Sequence, residues 1–162
     1  MKLEAPTRGD VRHVATLMRE RDVTEFLAVA HVETKADLIE ALVARYGGSH
    51  DAICAYVDKV PIAVGAMVRA RPNVVTLAFF ATDRFPEVAL ELTKFIRNRL
   101  FPQYRADGVH RIECISIEGY ADAHRWIGLL GLEQEAVMPK YGKGGETYLQ
   151  FAWVEDGSSA GV

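Results

Sequence analysis

The stretch "FATDRFPEVAL", residues 80–90, carries an apolar run into a helical one. Such a junction can hold a phosphate, because the free N–H groups of a helix start point outward. Arg84 is the side chain here that could pair with an anion. The glycines that let backbone close on a phosphate are missing, and Phe85, Pro86 and Glu87 stand in their region. Pro86 removes a donor. Glu87 satisfies the helix dipole by itself and repels a pyrophosphate. The loop reads as self-capped, with Arg84 either folded over an anion or left as a surface charge.

Proton transfer has two candidate carboxylates. Glu118 follows a strand; it faces either a cleft, as a base, or solvent, as a strand-end charge. Asp83 reads first as a turn cap. His124, in "AHRW", reads first as a structural residue of a short helix. Cys114 sits within a strand with no His paired to it in sequence, which argues against a nucleophile. Trp126 and Trp153 read as core or interface residues.

The elements that must position these groups come from a chain of 162 residues, 49% hydrophobic and 25% charged, ordinary values for a globular domain. A formal net charge of −3 supplies no field that would draw the chain to nucleic acid or an anionic membrane. The two cysteines lack C-x-x-C spacing, so they read as buried free thiols and no metal site is expected. The start "MKLEAPTRGD" has no signal-peptide stretch, and a cytoplasmic location is expected.

A short strand is expected near residues 2–5. A helix with Asp10 as N-cap follows, then a helix over about 22–29 and one from Thr34 that Gly47 and Gly48 end. "DAICAYV", "PIAVGAMVRA" and "NVVTLAFFA" read as an antiparallel meander of three strands. A helix over 86–100, the strand "HRIECISIE", the helix "ADAHRWIGLL" and a closing strand pair complete the order. The expectation is a mixed α/β (α+β) domain over residues 1–154, with a central sheet of about six to seven strands and about four to five helices. Residues 155–162 are expected to form a flexible tail.

That order resembles the GNAT superfamily of acyl-CoA-dependent N-acyltransferases. The resemblance is most specific in "ADAHRWIGLLGLEQEAVMPKYGKGGETYLQFAWV". There Ala123 fills a small-residue position, Gly131–Leu132 a Gly–Phe position and Tyr141 to Gly145 the aromatic–Gly hairpin. The texture also resembles divergent GNAT-like proteins of tailed phages and prophages. The resemblance implies acetyl-CoA as cofactor, held by the fourth strand and the next helix start: Phe79, Phe80, Ala81, Thr82, Arg84 and Val88, together with Ala123. It implies an oxyanion donor among the N–H groups of about residues 80–82 and a base such as Glu118. The Tyr that many relatives use to protonate the leaving thiolate falls at Ile127, which leaves Tyr120 or Tyr141 as a substitute. Two functions stay open. One is an N-acyltransferase with a degenerate pyrophosphate loop, acting on a small amine or a protein amine. The other is a silent GNAT-fold scaffold, virion-associated with phage structural proteins as partners. Membrane and nucleic-acid partners are not expected, and a homo-oligomer stays open.

Overall fold

The computed structural model describes residues 1–156, so residues 157–162 of the expected tail lie outside the described residues. Thr7 opens α1 (Arg8–Thr16). Its hydroxyl accepts the Asp10 N–H at 3.1 Å, and the Asp10 carboxylate accepts the Thr7 N–H at 2.9 Å, a closed capping box. The cap is therefore Thr7, with Asp10 its partner three residues in. Helix α2 is Glu20–Val29 and α3 is Lys35–Tyr46. Thr34 caps α3 by accepting the Asp37 N–H. Gly47 ends α3 where a Cβ would meet the Val43 carbonyl and Arg8 at 2.7 Å, a space only glycine fits.

Strands β1 (Lys2–Glu4), β2 (Ala52–Val57), β3 (Val60–Arg71) and β4 (Val74–Ala81) pair antiparallel in succession. A short turn, Phe85–Glu87, leads into α4 (Ala89–Phe95). The helix does not stop at 100. A π-helical stretch, Ile96–Leu100, carries it into α5 (Phe101–Ala106), and Pro102, which has no N–H to donate, lies just after the wider π turn. Then come β5 (Arg111–Ile117), α6 (Ala121–Leu129), β6 (Glu133–Met138) and β7 (Tyr148–Val154). The single seven-stranded sheet runs β1-β2-β3-β4-β5-β7-β6, with β4 and β5 parallel.

Alternation along the strands divides the core into two faces. Val64, Ala66, Cys54 and Phe80 pack with α1 and α3. Met67, Val75, Leu77, Ile112 and Phe151 pack with α4, α5 and α6. Phe80 is 1% exposed, with Phe26 edge-on at 5.8 Å and Tyr46 at 6.2 Å. Replacing Phe80 by Ala is expected to lower stability by about 3–5 kcal/mol, because the cavity lies between two rigid layers. The urea midpoint measures it; a loss well below 1 kcal/mol would contradict this packing.

The feature that shapes the site is the short contact between β4 and β5. They pair only at Val74↔Arg111, Val75↔Ile112 and Thr76↔Glu113. Residues 77–81 and 114–117 then diverge, while β5 stays paired with β7 along its whole length. No helix among the described residues is long and apolar enough to cross a membrane.

Candidate active site

Helix α2 bridges the open ends of the two strands. The Arg19 N–H donates to the Ala81 carbonyl at 2.9 Å, and the Asp22 carboxylate accepts the Ala81 N–H at 3.0 Å. Three residues on, one face along the same helix, Glu25 Oε1 accepts the Ile117 N–H at 3.0 Å and the Ser116 hydroxyl at 2.8 Å. Two carboxylates thus take the place of the missing ladder, one on each strand. The Tyr148 hydroxyl donates to the Glu25 carbonyl, and Lys143 donates to the carbonyls of Ala28, Ala30 and Val32, which fixes the far end of α2.

Between the strands lies a cleft of about 320 Å³. Phe79, Phe85 and Trp126 form its aromatic wall, with centroids 4.6–5.4 Å apart. Trp126 is locked by its Nε1–H donating to Thr93 Oγ1 at 2.8 Å. The Arg19 guanidinium pairs with Asp22 through two 3.0 Å bonds and lies 5.1 Å from the Phe85 ring centroid. Arg21 also lines the cleft, and its Nε is buried without a hydrogen-bond partner. Because Ala81 turns its polar groups toward α2, alternation turns the N–H and C=O of Leu77 and Phe79 the same way, into the gap and beyond the last β5 pair.

Glu25 is the titratable group that stands out. Burial raises its pKa above the usual carboxylate value; the Ile117 and Ser116 bonds pull against that shift, and the Asp22 charge adds to it. Both of these bonds use Oε1, and Glu25 lines the cleft. Cys114 lines the same cleft, but burial pushes its thiol up to about 12, so it stays protonated at neutral pH.

The residues expected from sequence divide sharply. Phe79 and Ala123 line the cleft, and so does Tyr120. The side chain of Phe80 lies in the core on the other face of the sheet. The backbone donors of residues 80–82 are engaged: Phe80 pairs with Val64 on β3, Ala81 donates to Asp22, and Thr82 donates to Ile62. Val88 is wholly buried. Asp83 is exposed. Glu118 is exposed at the end of β5, its N–H donating to Thr147, and lines none of this cleft. Tyr141 packs on Tyr148 at 5.4 Å beside the end of α2, outside the cleft. His124 Nε2 lies 3.0 Å from the Ile117 carbonyl, a structural contact.

The 80–90 loop closes on itself. Arg84 holds Glu87 through bonds of 2.7 and 2.9 Å. The N–H groups of Arg84, Phe85, Glu87 and Val88 donate within the loop, and Pro86 has none to give. Among the described residues, no group of three or more His, Cys, Asp or Glu is placed to hold a metal ion.

Solved structures share this fold. A GNAT-family acetyltransferase from Bacillus anthracis superposes with a TM-score of 0.70 at 12% identity, covering 95% of this chain and 94% of that one. The chain has the fold of the GNAT acetyltransferases. A Salmonella typhimurium protein solved with its cofactor acetyl-CoA gives 0.69 at 16% identity, over 96% of this chain and 94% of that one. A mutant of spermidine N-acetyltransferase from Vibrio cholerae gives 0.70 at 14%, over 97% and 96%. At these identities the likeness to the GNAT enzymes is one of fold. No protein-family model matches the chain, and no curated protein matches it.

Proposed function

We propose that the chain is an N-acyltransferase of GNAT type that holds acetyl-CoA mainly by its pantetheine arm. The observation that carries this reading is the parting of β4 and β5 after three residue pairs, with the polar groups of Leu77 and Phe79 turned into the gap. An extended amide chain can add to such an edge as a further strand does. The pantetheine half of the coenzyme fits this slot. The pyrophosphate half fits the loop after β4 poorly, because the N–H groups of Arg84, Phe85, Glu87 and Val88 are engaged and Glu87 carries the wrong charge. The loop is degenerate in that sense, and Arg21, which lines the slot with its Nε buried and unpartnered and its charge acting on Glu25, is a cation near the arm.

Acetyl-CoA supplies an acyl thioester: transfer to an amine forms a C–N bond, breaks the C–S bond and leaves an amide and a thiol. Glu25 is placed to take the amine proton on Oε2, and its raised pKa makes it a stronger base than a solvated carboxylate. The Phe79 N–H is placed to polarise the acyl oxygen, because the donors of residues 80–82 are engaged. Tyr120, which lines the same cleft, is the residue we assign to protonate the sulfur. Phe79, Phe85 and Trp126 exclude water from the slot.

Calorimetric titration tests this. Acetyl-CoA is expected to bind, S-acetylpantetheine to keep most of the affinity, and Glu87→Gly to tighten acetyl-CoA severalfold by freeing Arg84. Binding by neither the wild type nor the variant would remove the coenzyme from the reading. A second reading rests on the closed loop: the fold retained as a silent scaffold, including the virion-associated form. It expects no binding by the wild type, and binding regained in Glu87→Gly would mark the loop as a blocked coenzyme site.

A further inference from the structure

A second cleft, of about 570 Å³, opens on the opposite face of the sheet, between α2, α3 and strands β3 and β4. Glu25, Leu77, Phe79 and Ile115 line both clefts, so the two meet through the parting of β4 and β5. Its walls are Phe26, Leu42, Tyr46, Val68 and Ala78. Among the described residues that line it, Glu25 is the one carboxylate, and Arg45 and Arg69 are the cations. Arg69 faces Asp51 at 3.7 Å, and Arg45 lies over the Tyr46 ring at 5.6 Å.

We infer that this cleft takes a primary amine carried on an apolar body, an arylalkyl or branched alkyl amine, with its nitrogen at Glu25. The inference rests on the proposed acyl transfer and names its acceptor class. An amine entering here meets one negative charge, where the two clefts join, and otherwise mostly apolar side chains, with Arg45 and Arg69 the only cations among the described lining residues. Burial of the hydrocarbon body supplies affinity, and Glu25 orients the nitrogen and takes its proton. The acyl carbon then joins that nitrogen, the C–S bond breaks, and Tyr120 or solvent protonates the sulfur. A polyamine fits poorly. Its further ammonium groups would lie against apolar walls, with Arg45 and Arg69 in place of carboxylates.

The test uses phenethylamine and spermidine as probes, read in two ways: calorimetric binding to the protein without coenzyme, and thiol release with acetyl-CoA present. Phenethylamine is expected to bind and to exceed spermidine in kcat/KM by at least about tenfold. Ala78→Leu, which fills the floor of the cleft, is expected to abolish phenethylamine binding while acetyl-CoA affinity is kept. Arg45→Glu is expected to narrow the preference over spermidine. If acetyl-CoA binds and spermidine is preferred, the acceptor class is overturned and acyl transfer stands. If phenethylamine binds in an Ala78-dependent way but acetyl-CoA does not, the apolar-amine site stands and acyl transfer falls. No phenethylamine binding at millimolar concentration, with or without acetyl-CoA, overturns the inference.

Discussion

Glu25→Gln is expected to leave the protein folded and to remove nearly all acyl transfer. Gln keeps an oxygen that can accept from the Ile117 N–H and the Ser116 hydroxyl, so the link between α2 and β5 survives. It cannot take a proton from an ammonium. Loss of a positioned base costs about 10²–10⁴-fold, and kcat/KM should fall by that factor while acetyl-CoA affinity changes little. The pH profile gives a second reading. The working form of Glu25 is the carboxylate, so activity rises as pH climbs through its pKa. Burial raises that pKa, so the acid limb should lie above the range of a solvated glutamate. Stability runs the other way. A carboxyl whose pKa is raised by folding stabilises the fold fully below its unfolded pKa, and that contribution is lost as pH rises through the folded value. The Gln variant should therefore lose this part of the decline in stability with rising pH. Thiol-release kinetics and urea titrations across pH measure both. Full activity in Glu25→Gln, or an equal loss in Glu118→Gln, would move the base elsewhere.

The architecture was legible because it is written locally. Alternation in "DAICAYV" and "NVVTLAFFA" specifies strands with one inward face, and the Thr34 cap lies three residues from its partner; at α1 the sequence pointed to Asp10, which is the partner, and not to Thr7, the cap. The contact that closes the 80–90 loop is also local, since Arg84 and Glu87 are one helical turn apart, but the sequence pointed to Glu87 alone against the helix dipole and not to this pair. The site was not. Glu25 sits in "ERDVTEFLAV", where Asp22 and Glu25 look like ordinary charges on a solvated helix face. Their partners are backbone N–H groups 59 and 92 residues away. Periodicity carries no record of those contacts. The only local trace is Val23, Phe26 and Leu27 between and beside the acids, which keep that turn against the sheet. Glu118 drew attention because it follows a strand, but the residue after a strand that pairs to its end with β7 is carried out to solvent. Phe79 and Phe80 show the limit of the same reasoning. Neighbours on a strand face opposite ways, so only one of them could line the gap.

The second large effect is expected at Asp22, which is 5% exposed and joins α2 to β4. Asp22→Ala would leave the Arg19 guanidinium and the Ala81 N–H without their partner in a dry place. Breaking a buried pair from one side costs about 3–5 kcal/mol, which is a large part of the stability of a domain this size. Asp22→Asn keeps an oxygen for the Ala81 N–H and should cost less. That variant separates the structural role from the electrostatic one. The Asp22 charge is one of the influences that raise the Glu25 pKa, so neutralising it should lower that pKa. The acid limb of kcat/KM should then move to lower pH in Asp22→Asn, with the plateau reduced as Glu25 becomes the weaker base. Urea midpoints for both variants, with pH profiles for Asn, make the comparison. A limb that stays in place would mean that Asp22 only ties the helix to the strand. A limb that moves down would show that one pair of acids, three residues apart, both holds the gap open and sets the strength of the base within it.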